Sequence, residues 1–114
     1  MTTAAELVQQ AKQHITEVSP DNARQYQQAG HLFLDVREAK EFEAGHIEGA
    51  HHIARGVLEF SIAHHPHFQD KEAHIIVYCK SGARSALAAH TLTHMGYHQV
   101  VSLAGGYEGW ATTN

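Results

Sequence analysis

The stretch HIIVYCKSGARSALAAHTLTHMGYHQVVSL, residues 74–103, decides the fold. Its opening run, His74-Ile-Ile-Val-Tyr78, is apolar without alternation, the pattern of a strand buried on both faces. Ser81-Gly82 marks a tight loop, and Arg84 to Met95 reads as a helix. Ala88, Leu92 and Met95 recur at the spacing of one helix face, and Gly96 ends the run. Val100-Val-Ser-Leu103 is a second strand. A strand, a helix and a strand in this order make a parallel unit, expected to cross over right-handed.

The flanks continue the alternation. Residues 4–13 are rich in helix formers. Ile15-Thr-Glu-Val18 is a short strand candidate, and Ser19 with Pro20 starts a helix that runs to about Ala29 before Gly30. His31 to Val36 reads as another doubly buried strand, Glu38 to Ala44 as a short helix closed by Gly45, and His51-His-Ile53 as a short strand. Within residues 54–73 a helix is expected from Val57 to His64, broken before Pro66. Gly105-Gly106 turns into a last short helix around Tyr107 to Ala111. Strands alternating with helices predict an α/β fold with a parallel sheet. The expected organisation is a helical extension over residues 1–13 and one domain over residues 14–114.

Composition narrows the function. The chain has 114 residues, 43% hydrophobic and 18% charged, a globular balance with room for one core. A formal net charge of -4 gives no nucleic-acid footprint. No apolar run approaches the ~20 residues that cross a bilayer, and Met1 to Gln13 is too polar for a signal segment. The single Cys rules out an intramolecular disulfide and fits a reducing compartment, so a cytoplasmic location is expected. The 12 His are scattered, with groups at His51-His52 and at His64, His65 and His67. A metal needs converging ligands, Cys79 is the only thiol, and no metal site is expected.

Cys79 lies where ligands bind in such sheets, outside the carboxyl end of a strand. A thiol attacks only as thiolate. The helix after Cys79 brings its positive end near, and Lys80-Ser-Gly-Ala-Arg-Ser85 is short, holds Gly82 and carries two cations. Such a loop can turn its N–H groups inward as a nest for a thiolate, a persulfide or an oxyanion. Free Cys is more often a small buried hydrophobe. The basic Gly-bearing loop reverses that preference here.

Cys79-Lys-Ser-Gly-Ala-Arg-Ser85 resembles the active-site loop of rhodanese-type sulfurtransferases. Leu34-Asp-Val-Arg37, Glu41-Phe-Glu-Ala-Gly-His-Ile-Glu-Gly-Ala50 and Leu103-Ala-Gly-Gly-Tyr-Glu-Gly-Trp110 agree with that family in order and spacing, over roughly residues 15–112. The resemblance implies the compact rhodanese fold, a five-stranded parallel sheet flanked by helices. It implies that Cys79 takes the outer sulfur of a donor such as thiosulfate, becomes a persulfide, and yields the sulfur to a thiol, cyanide or a protein acceptor. The N–H groups of residues 80–84 (Lys80, Ser81, Gly82, Ala83 and Arg84) would stabilise the anionic sulfur, with no metal or organic cofactor. Related phosphatases place five residues between Cys and Arg; here there are four, and a shorter ring of donors suits sulfur better than a phosphoryl group.

Supporting residues carry competing readings. Arg84 either binds the donor's anionic end or pairs with a carboxylate and braces the loop; a guanidinium serves both uses. Lys80 is expected exposed, attracting anionic donors. Asp35 and Arg37 are expected to fix loops by ion pairing. Ser85 either caps the helix or donates to the persulfide. His46 is read as a structural hydrogen-bonding residue, and Tyr107 and Trp110 as rim and core aromatics. The competing functions are a sulfur-carrier or partner-binding module with little turnover, and a phosphatase or arsenate reductase, which loop length and the missing second Cys disfavour.

Overall fold

Strand β4 (Ile75–Tyr78) lies at the centre of the sheet, and all four of its residues are buried. The computed structural model describes residues 2–113. Met1 and Asn114, the outer ends of the two expected segments, lie outside the described residues. In chain order the elements are α1 (Ala4–Lys12), β1 (Thr16–Val18), α2 (Pro20–Gln28), β2 (Leu32–Asp35), α3 (Ala39–Ala44), β3 (His51–His52), α4 (Leu58–Ser61), β4, α5 (Ala83–His94), β5 (Val100–Leu103) and α6 (Gly106–Thr112). The sheet order is β1-β5-β4-β2-β3, and every pair is parallel. Ile76 pairs in register with Phe33 on β2 and Val101 on β5.

Alternation through the sheet divides two cores. Ile75, Val77 and Cys79 face one side, with Leu34, Leu58, Ile62, Ala88 and Leu92. Ile76 and Tyr78 face the other, with Val18, Ala23, Phe33, Leu103 and Trp110. A strand buried on both faces explains the unbroken apolar run, since neither face needs polar residues. Each buried aliphatic side chain contributes about 1.5–3 kcal/mol through area removed from water.

Local signals set the boundaries. The Ser19 side chain accepts from the Asn22 N–H at 3.2 Å, and Pro20 opens α2. Thr3 and Glu6 form a reciprocal capping box on α1, which packs on α5 and buries Ala11. The helix expected from Val57 to His64 needs correction. It is a broken coil: a 3-10 turn at Arg55–Val57, the four residues of α4, and a second 3-10 turn at Ile62–His64. Leu58 and Ile62 bury one apolar edge there, while Phe60 points outward. Packing of that edge, not helix propensity, holds the segment.

Candidate active site

Cys79 directly follows β4 and shares the inward face of Ile75 and Val77, so its thiol is only 1% exposed. The chain then turns at Gly82, whose φ of +116° suits a residue without a Cβ, and enters α5. The turn brings N–H groups onto the sulfur. Gly82 N–H donates to Cys79 Sγ at 3.1 Å and Ser85 N–H at 3.3 Å, with Ser85 Oγ at 3.5 Å.

The carbonyls are held elsewhere. The first N–H groups of α6 take them: Tyr107 N–H donates to Cys79 O at 2.8 Å and Glu108 N–H to Lys80 O at 3.0 Å. Gly106 permits this approach. A Cβ there would lie 2.5 Å from the Lys80 carbonyl and 2.6 Å from the Cys79 oxygen, and φ is +59°. With its carbonyls turned to α6, the loop leaves the N–H groups of Lys80, Ala83 and Arg84 without a hydrogen bond among the described residues. They sit beside Ser81 and Ala83, whose side is open to solvent. Free donors at a helix start make a place for an anion.

Burial works against the Cys79 thiolate. The hydrogen bonds from the Ser85 hydroxyl, the Ser85 N–H, and the Gly82 and Ser81 N–H groups outweigh it, so the thiol is held below its ordinary value. Direct donors therefore act on the sulfur alongside the helix end and loop cations expected from the sequence. Those donors extend to Ser85, one residue past the 80–84 set.

Arg84 reaches across to α3. Its Nη1 and Nη2 donate to Glu41 Oε1 and Oε2 at 2.8 and 3.1 Å, a fork that ties the loop to the helix. Glu41 also accepts the Glu38 N–H at 2.9 Å, and pairing with Arg84 holds its carboxyl down to about 2. Lys80 is exposed. Asp35 and Arg37 form a buried pair at 2.7 Å, and Arg37 also donates to Gly45 O, fixing the turn after α3. Ser85 does not cap α5: Gly82 occupies the cap without a side chain, and Ser85 Oγ donates to Gly82 O at 3.3 Å. His46 bonds Phe42 O at 2.9 Å, Trp110 is buried, and Tyr107 lies under Arg37 at 4.5 Å.

Three residues of this arrangement escape a reading of the sequence. Glu41 carries no local sign of its partner, which is 43 residues away. Gly106 looks like an ordinary turn residue. Ser102 does leave a trace, as a lone hydroxyl in an apolar strand. Its Oγ lies 2.8 Å from Ser85 Oγ, and both residues are fully buried. Among the described residues no three His, Cys, Asp or Glu converge as a metal site. No helix there is long and apolar enough to cross a membrane.

Known proteins agree with this architecture. Thiosulfate sulfurtransferase GlpE of Ectopseudomonas mendocina (strain ymp) is 35% identical over 96 residues, 84% of either chain. The GlpE of Haemophilus influenzae (strain PittEE) is 33% identical over 82% of this chain and 86% of its own. Among solved structures, a Rhodopseudomonas palustris CGA009 protein described as of unknown function and a possible tyrosine phosphatase superposes with a TM-score of 0.90. It is 30% identical over 97% of this chain and 90% of its own. The human single-domain sulfurtransferase TSTD1 superposes with a TM-score of 0.79 at 28% identity, over 86% of this chain and 96% of its own. The rhodanese-like domain model matches residues 5–113, nearly the whole chain, and with relatives at this identity over most of both lengths the chain belongs to the rhodanese-like domain family.

Proposed function

We propose that the protein transfers a sulfane sulfur from an anionic donor such as thiosulfate to a thiol or cyanide through a persulfide on Cys79. The observation that carries this reading is the loop itself. A thiol favoured as thiolate sits under unpaired N–H groups at the start of α5. The Cys79 thiolate attacks the outer sulfur of thiosulfate; the S–S bond breaks with its electron pair going to sulfite, and Cys79–S–S⁻ remains. Cyanide or a thiolate then attacks the outer persulfide sulfur and carries it away, returning the Cys79 thiolate. Lys80, Ser81, Gly82, Ala83 and Arg84 supply the cradle that stabilises the anionic sulfur, and Ser85 adds its own donors. Exposed Lys80 draws the anion in. Arg84 braces the loop through Glu41 and adds its charge at a distance. Asp35 and Arg37 keep the neighbouring turn in place. Residues 1–13 serve as a helical extension of the domain over 14–114. A free thiol of this kind needs a reducing compartment, the cytoplasm.

A second reading, phosphatase chemistry, is favoured by the description of the Rhodopseudomonas palustris neighbour. Against it stand the four residues between Cys79 and Arg84, and the use of both Arg84 amino groups on Glu41. A phosphoryl group needs a wider ring and an Arg aimed into it. Intact-protein mass spectrometry after thiosulfate treatment decides. The expected result is one added sulfur atom, removed by cyanide or dithiothreitol and missing in Cys79→Ser. Cys79-dependent aryl phosphate hydrolysis without sulfur addition would overturn the sulfurtransferase in favour of the phosphatase.

A further inference from the structure

Ser102 is a polar residue with no evident place in its strand. Its neighbours in β5 are Val100, Val101 and Leu103, it pairs with Val77 on β4, and it is fully buried. A buried hydroxyl costs free energy unless it is hydrogen-bonded. The one partner of Ser102 Oγ among the described residues is Ser85 Oγ at 2.8 Å, and Ser85 in turn lies 3.5 Å from Cys79 Sγ.

A serine hydroxyl has one proton and two acceptor sites. The Ser85 proton has three places to go: Gly82 O at 3.3 Å, Ser102 Oγ at 2.8 Å, or the sulfur at 3.5 Å. The shortest of these is towards Ser102, and a proton spent there is lost to the thiolate. If Ser102 is the donor of the 2.8 Å bond, that direction closes. The Ser85 proton is then left between Gly82 O and the sulfur, and once Cys79 is a thiolate its negative charge makes the sulfur the stronger acceptor. A donor that itself accepts a bond donates more strongly.

We propose that Ser102 is a positioning residue for Cys79: its hydroxyl donates to Ser85 Oγ and turns the Ser85 proton towards the sulfur. The chain Ser102 O–H to Ser85 O–H to Sγ supplements the backbone donors of Gly82 and Ser85. No bond is made or broken in it. When Cys79 is a neutral thiol, its S–H donates to Ser85 and the same two hydroxyls turn the other way. The charged groups around this sulfur are Arg84, whose charge acts on it from α5 while its guanidinium is forked on Glu41 of α3, and the adjacent, exposed Lys80. Neither is touched by a change at Ser102.

The inference rests on Cys79 being the reactive thiol, and the test does not need sulfur transfer. The rate of alkylation of Cys79 by iodoacetamide is followed against pH in the full chain. Ser102→Ala and Ser102→Val are expected to raise the midpoint by about half a pH unit. Ser102→Thr matches Val in shape and crowds the core equally, yet keeps the hydroxyl, and it should return the midpoint to the wild-type value. Ser85→Ala should shift it further, and Ser85→Ala with Ser102→Ala should shift it no more than Ser85→Ala alone, because Ser102 acts only through Ser85. Equal midpoints for Ser102→Ala and wild type would overturn the proposal and leave Ser102 as packing. Additive shifts in the double variant would overturn it too. An intact wild-type midpoint below the ordinary thiol value, together with no sulfur uptake from thiosulfate, would fault the sulfurtransferase reading and leave this one standing.

Discussion

The two ends of the sheet differ in kind. At the amino-terminal end a cleft of about 250 Å³ is lined by Tyr26, His31, His74, His98 and strand edges. Its rings stack on one another: His31 lies between Tyr26 and His74, with centroids at 5.0 and 4.5 Å. At the carboxyl end N–H groups, two serines and a thiol converge within hydrogen-bond distance. Space does not make a reactive site; unspent donors around a nucleophile do. The strands all run in parallel, so one end of the sheet collects helix starts, with free N–H groups.

The largest effect expected from this contrast lies between Cys79 and His74. Cys79→Ser should lower the rate of thiocyanate formation from thiosulfate and cyanide by at least about a thousandfold, because the nucleophile of a covalent cycle is lost. His74→Ala, at the opposite end, should keep the wild-type rate. Steady-state assays of both variants check it; comparable losses would mean that both ends take part.

Two glycines sharpen the comparison next. Gly106 and Gly49 both have positive φ, +59° and +86°, so Ala strains the backbone at either by about 1–3 kcal/mol. At Gly49 a Cβ meets nothing within 4 Å, whereas at Gly106 it strikes the carbonyls of Cys79 and Lys80. Gly106→Ala should therefore push the cradle out of shape and cut kcat/KM by about a hundredfold, since misplacement of this order carries that cost. Gly49→Ala should lower only the melting temperature. Equal activity in the two would mean that α6 does not hold the loop.

The same contrast explains what could be read from the sequence. The strand at 74–78 and the loop after it are local patterns, and Pro20 and Gly82 each act within their own turn. The order of elements and the position of Cys79 were therefore legible. The partners of the loop were not. Glu41, Ser102 and Gly106 act across folds of the chain, and a carboxylate, a hydroxyl and a glycine are ordinary residues until the sheet brings them together. The segment 57–64 reads as one helix because its apolar spacing is helical, while in the structure the coil tightens into 3-10 turns on both sides of α4. There the packing of Leu58 and Ile62 decides the backbone.

A smaller effect separates Arg84 from Lys80. Lys80 is exposed, and Lys80→Ala should raise the KM for thiosulfate a few-fold at low salt and less at high salt. Arg84→Ala and Glu41→Gln each break the fork on the loop and should lower kcat/KM about tenfold. The double variant should lose no more than either single one. A KM effect of Arg84→Ala that Glu41→Gln lacks would instead assign Arg84 to the donor.

The smallest effect concerns acid. Glu41 has its carboxyl held at about 2, first by the Arg84 fork and then by the Glu38 N–H, against an ordinary value of 4.5. A carboxyl more acidic in the folded state than in the unfolded one stabilises the fold above the unfolded value. That contribution drains away as pH falls towards the folded value. The window for Glu41 therefore runs from about 4.5 down to about 2. Its side chain is 31% exposed and that of Arg84 36%, so water screens the pair and the gain is under about 1 kcal/mol. Groups common to wild type and Glu41→Gln cancel in the difference between the two proteins. Urea unfolding of both proteins at pH 7, 4.5, 3 and 2 isolates the pair by difference. Wild type should be the more stable at pH 7 and 4.5, and the gap should shrink through pH 3 and close near pH 2. A gap that stays constant down to pH 2 would mean that the fork between α3 and α5 contributes shape to the loop without its charge.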